Sequence, residues 1–124
     1  MQILMLALLN GAITCTCLAI SSTASPPEQA SLVAIYLVGF QLPLSGAVLA
    51  LPDLAAWIAR PFIATYWSWS GVLQTMKDTR LYDVVVEVTR TDLARTPLCI
   101  WALGSHMVIM LLATYAGCRS RRSL

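Results

Sequence analysis

Charge is what this sequence has least of. Only 11% of its 124 residues are Asp, Glu, Lys or Arg, against about 25% in an ordinary soluble domain. No Lys or Arg occurs before Arg60, and His106 is the single histidine. There is no H-x-x-x-H pair, no Ser-His-Asp set and no glycine-rich phosphate loop. The four cysteines, Cys15, Cys17, Cys99 and Cys118, lack any zinc spacing. On a helix, Cys15 and Cys17 would lie about 200° apart and could not share one metal. Neither an internal repeat nor a low-complexity tract is present. These absences argue against an enzyme. Eight scattered cations also make no basic stripe for nucleic acid.

Apolar residues are abundant. They form 58% of the chain, and the mean hydropathy is +0.73. Too little polar surface remains to cover a water-exposed globule. The composition predicts one all-α integral membrane domain. It comprises three transmembrane helices, an interfacial or broken fourth helix, and a short charged extramembrane helix.

The first expected span is 3–20, about 27 Å long as a helix and near the bilayer's hydrocarbon thickness of about 30 Å. Ala7 and Gly11 form a small-xxx-small pair for helix packing, and Asn10 is its strongly polar residue. A signal peptide shares this outline, but the basic n-region is missing and the apolar run is long. The segment therefore reads as a retained helix. It is also neither Arg-rich nor amphipathic, as a mitochondrial presequence would be. Pro26-Pro27 then blocks continuation, and Ser31 suits an N-cap. The second span, 31–51, carries no charge. Pro43 should kink it near Gly39–Gln41, while Gly39, Gly46 and Ala50 offer a smooth packing face.

Asp53 suits an N-cap for the segment 54–76, which Arg60-Pro61 interrupts. A second helix should start there with Pro61 at its first position. Phe62, Tyr66, Trp69, Leu73 and Met76 fall at helical spacing on one stripe, with Thr65, Ser68 and Thr75 away from it. Trp57, Trp67 and Trp69 favour the headgroup region, and Arg60 can snorkel to it. Asp53 is two turns from Arg60, too far for a direct pair.

Residues 77–97 carry four positive and four negative charges. Leu81, Val84, Val85 and Val88 fit a helix, and Val84, Val86 and Val88 also fit a strand. A lone strand would have no pairing partner, so a helix is expected. Its charges form either a solvated face or a docking surface for an extrinsic partner. Asp83 and Glu87 stand beside Arg80 and Arg90 and read as ion pairs. Thr91-Asp92 should cap a short turn before Pro97. The last span, 98–117, has Trp101 and Tyr115 near its ends and Gly117 as its expected terminator. The tail 118–124 follows, with Arg119, Arg121 and Arg122 as lipid-binding candidates beside Arg60, Trp57, Trp67 and Trp69. Cys118 at the membrane edge is an acylation candidate. With three spans, the five cations from Arg60 to Arg95 fall opposite the three of the tail.

His106 lies mid-span, where an ionisable side chain marks a site or a hydrogen bond to a neighbouring helix. As a ligand it could bind a haem iron or a chlorophyll magnesium. Small size, packing faces and the lack of a catalytic set suggest a non-catalytic accessory subunit. Its host would be a larger membrane complex of respiratory, ATP-synthase or photosynthetic type. The mitochondrial inner membrane or the thylakoid is the expected home, with other membrane subunits and structural lipids as partners. The stretch Ile35–Gly71 is similar, in its tyrosine-and-apolar pattern, to four-span COPI-associated Golgi proteins. That resemblance implies a stand-alone protein of the secretory pathway. After Gly71 the residues turn polar, where that family continues into another span. A third reading is a haem- or chlorophyll-binding anchor using His106.

Overall fold

The computed structural model describes residues 1–24, 26–47 and 52–122. In chain order the helices are α1 (Gln2–Thr23), α2 (Pro27–Leu44), α3 (Asp53–Ala59), α4 (Ala64–Gln74), α5 (Arg80–Thr89) and α6 (Thr96–Arg122). A 3-10 turn, Arg60–Phe62, links α3 to α4. Among the described residues there is no strand. Two helices are long and apolar enough to cross a membrane, over Gln2–Thr23 and Thr96–Ser120.

These two helices run side by side in the same direction. Met5 and Ala12 of α1 share the core with Cys99 and Leu103 of α6. Gly11 faces Met107, and at the far end Gly117 faces Ser22. The inward face of α1 is Met5, Ala12, Cys15, Thr16 and Ala19, one stripe at helical spacing. Mostly small side chains let the backbones approach. The Ala7–Gly11 pair is split: Gly11 faces α6, whereas Ala7 is exposed with Asn10. Hydroxyls inside both helices bond back to their own carbonyls. Thr14 donates to Asn10, Thr16 to Ala12 and Thr114 to Met110, each at 2.8 Å.

Several expected boundaries shift. α2 starts at Pro27, not after a Ser31 cap, because proline suits the first helical turn and Glu28 complements its dipole. The uninterrupted span 31–51 is not formed. α2 stops at Leu44, one residue after Pro43, so this proline precedes an end and not a mid-helix kink. Ser45 Oγ donates to Leu42 O at 2.6 Å and accepts from Ala47 N at 3.2 Å. Gly46 then turns the chain with φ +78. A side chain there would be strained and would meet Thr91, 2.9 Å from its Oγ1. Ala50, the last of the expected packing residues, lies outside the described residues.

α3 begins at Asp53 itself, with Pro52 in the cap position. Pro61 does not open the next helix. It sits in the 3-10 turn, Ile63 is extended (φ −100, ψ 98), and α4 starts at Ala64. The apolar stripe of α4 is not its packing face as a whole. Tyr66 and Leu73 are buried, but Phe62 is 76% exposed. The small residues Ala64, Ser68, Ser70 and Gly71 are buried instead. Ser68 Oγ donates to Met5 O at 3.1 Å, and Gly71 lies against Met5. Small groups bring α4 onto α1, while Phe62 just before it is left facing outward.

α5 is helical, as its spacing suggests, and buries none of its residues. Arg90 closes it in a left-handed conformation (φ 48, ψ 28). Thr91 is thereby turned back to Gly46. Its hydroxyl lies 3.1 Å from both Gly46 O and Thr89 O and shares one proton between them. Thr91 thus anchors the loop onto the α2 turn. Gly117 does not terminate α6, which continues to Arg122. A glycine flanked by good helix formers costs only about 1 kcal/mol, and close approach to α1 offsets it.

Candidate functional site

Where α2 ends and α4 begins, the two helices meet through side chains. Gln41 Oε1 accepts from Thr65 N at 3.1 Å and from Thr65 Oγ1 at 3.0 Å. Gln41 is buried, so these bonds satisfy an oxygen that apolar surroundings would otherwise penalise. A cleft of about 280 Å³ opens beside this junction. α2 supplies Leu37, Phe40 and Leu44, the 3-10 turn supplies Phe62, and α6 supplies His106 and Met110. Thr16 of α1 closes the back. Phe40 and Phe62 are 58% and 76% exposed, so the cleft is open to the surface beside them.

His106 is half-buried in this wall. Its Nδ1 lies 3.1 Å from Ala102 O, one turn earlier. No group of three metal-ligating side chains occurs among the described residues. A tetrapyrrole exceeds what the cleft encloses, since pockets for drug-sized ligands already run about 300–1,000 Å³. A haem or chlorophyll on His106 would lie mostly outside this chain.

A second, wider groove of about 530 Å³ lies beyond Phe62. Trp57, Ile58, Arg60, Pro61, Tyr66 and Trp67 line it with Phe62. It brings together three of the lipid-binding candidates: Arg60, Trp57 and Trp67. Trp69 is half-buried on α4 and outside it. Arg119 is exposed near the end of α6, while Arg121 and Arg122 belong to its last turn. Gly39 is exposed with open space beside it.

Arg60 finds its carboxylate on a loop distant in sequence. Its guanidinium lies 3.8 Å from Asp92, whose side chain is 96% exposed, so the pair itself contributes little. The stronger partner is Tyr66. The guanidinium carbon sits 5.2 Å from the Tyr66 ring centre, and the ring meets Trp67 edge-on at 5.1 Å. Tyr66 also donates its hydroxyl to Asp92 O at 2.7 Å. The loop is held chiefly by its backbone, and the Asp92 carboxylate keeps a long, exposed contact with Arg60.

Three contributors escaped the sequence reading. Tyr66 was legible only as a stripe residue, and nothing in its neighbours points to residue 92. Gly71 and Gly117 were legible as glycines, but their partners Met5 and Ser22 were not. No family model, curated protein or solved structure matches this chain.

Proposed function

We propose that this chain is a three-crossing, non-catalytic subunit of a larger membrane assembly. The observation that carries the membrane reading is the exposure of its two longest helices. A core helix of a soluble protein is mostly buried. Here the apolar windows of α1 and α6 are only 28% and 11% buried. Leu98, Trp101, Val108, Ile109, Leu111, Leu112 and Tyr115 of α6 all face outward. Lipid or other helices must cover them.

Parallel packing of α1 and α6 then constrains the chain between them. If both cross in one direction, residues 24–95 must return an odd number of times. α2 and α4 fit a single return in two halves. The α2 end lies at the level of Thr16, and α4 runs from there back towards Met1, where Thr75 lies beside Met1–Ile3. The two halves are about 27 Å and 16 Å long at 1.5 Å per residue. The N-terminus and the end of α4 then share one side, the arginine tail lies on the other, and Thr91 and Asp92 reach back to the α2 turn and Tyr66. In this frame α5 rests at the interface. Its exposed Leu81, Val84 and Val88 meet lipid or a partner, and its charges meet water.

Tags at both ends test the crossings. Protease added to sealed vesicles should remove one terminal tag and spare the other. Equal treatment of both ends would mean an even number and defeat the proposed return. Membership in an assembly is tested on a native gel after mild detergent extraction. The chain should migrate at hundreds of kilodaltons with other membrane subunits, of respiratory, ATP-synthase or photosynthetic type. Migration alone would sink the subunit reading and leave the crossings intact.

A further inference from the structure

The cleft beside His106 has few polar groups, and their hydrogen bonds define what it can recognise. Thr16 donates its hydroxyl proton to Ala12 O, 2.8 Å away. Gln41 Oε1 already serves two Thr65 donors. Gln41 also carries amide N–H donors, and His106 differs from both in bringing a ring nitrogen. A carbonyl oxygen can only accept, so the 3.1 Å contact with Ala102 O places the imidazole proton on Nδ1. Nε2 of the neutral ring is then a bare lone pair, and no described group hydrogen-bonds to it. The ring lines a cleft whose apolar walls include Leu37, Phe40, Leu44, Phe62 and Met110.

We propose that this cleft binds an apolar aromatic ring bearing a free hydroxyl, of the phenol or hydroquinone class. The hydroxyl donates to Nε2 of His106, and the ring rests against Phe40 and Phe62. The volume suits this class. Dry apolar cavities of roughly 150 Å³ already hold a benzene, and about 280 Å³ leaves space for substituents. The apolar walls suit a ligand that arrives dissolved in lipid. The tautomer supplies selectivity. A quinone or a phenyl ether offers only acceptors, which a lone pair on Nε2 repels. This inference rests on the membrane reading of α1 and α6. It does not depend on a host assembly, so the native-gel result leaves it standing.

The single histidine makes the test unambiguous. The chain, labelled with ¹⁵N-histidine, is placed in lipid nanodiscs at neutral pH. The ligand-free spectrum should show Nδ1 protonated and Nε2 bare. Adding 4-hexylphenol should shift the Nε2 resonance saturably. Its methyl ether, 4-hexylanisole, should bind at least about tenfold more weakly, as loss of one hydrogen bond implies. Leu37→Trp, which fills the cleft, should abolish the phenol shift with Nδ1 still protonated. No Nε2 shift with the phenol, an equal shift with the ether, or a proton on Nε2 in the ligand-free chain would each overturn the proposal.

Discussion

Replacing Gly117 by leucine separates the far ends of α1 and α6. A Cβ at this position would stand 2.6 Å from Ser22 Oγ and 3.0 Å from Ser22 O. The second of these is backbone and cannot rotate aside. The larger side chain must therefore push the helices apart where no other glycine relieves them. Overpacking in well-packed interiors costs about 1–3 kcal/mol, and leucine should reach the upper end. Gly11→Ala provides the control on the same helix pair. There the added carbon would meet Met107 Cε at 2.9 Å and Sδ at 3.2 Å. Those atoms end a flexible chain with three rotatable bonds and can swing away. In an SDS unfolding titration, Gly117→Leu should lower the midpoint clearly and Gly11→Ala barely. Indistinguishable midpoints would show that the Ser22 contact does not limit the pairing.

Tyr66→Ala should be the most damaging single change near the candidate site. Tyr66 is only 4% exposed. Deleting its ring removes the platform under Arg60, the edge contact with Trp67 and the bond to Asp92 O. Truncating a buried aromatic to alanine costs about 3–5 kcal/mol. Tyr66→Phe keeps the ring and loses the hydroxyl, for about 1 kcal/mol. The loop should record the difference. Arg90 and Arg95 are exposed on either side of Asp92. Trypsin should cleave there much faster in Tyr66→Ala and only slightly faster in Tyr66→Phe. Equal cleavage in the two variants would assign the loop's restraint to Thr91 and Gly46 alone.

The helical class, the two long helices and the α5 helix were all legible in residue pattern, because each depends on local periodicity. The end of α2 was not. Pro43 could equally mark a kink within a span or the last turn of a helix. The turn that decides it depends on Gly46 meeting Thr91, 45 residues later. α4 was misjudged for a different reason. Amphipathic reasoning assumes that large apolar groups turn inward, which holds in water. In α4 small residues pack beside Tyr66 and Leu73, so Ser68, Ser70 and Gly71 go inside while Phe62 lies outside. Gly117 read as a stop because glycine often follows a helix end. Only the presence of Ser22 opposite gives it another reason to be there. At the candidate site His106 stood out because it is unique. Its companions Thr16, Gln41 and Phe40 come from two other helices and carry no shared sequence signal. For Arg60, the partner Asp92 could not be named without the loop's path.

On the membrane reading proposed for α1 and α6, the hydroxyls that bond back within them change what a bilayer would sense. Thr14 and Thr114 have already placed their protons on Asn10 O and Met110 O. What each turns outward is largely a methyl group, so valine at either position would present nearly the same shape and wetting to lipid. Drift between threonine and valine at such positions would therefore leave little mark on folding, while altering every hydropathy profile drawn from the chain. Related chains could share this helix pair and yet differ in apparent polarity. Their common trait would be the pattern of small residues between the helices, a signature of spacing that hydropathy does not register.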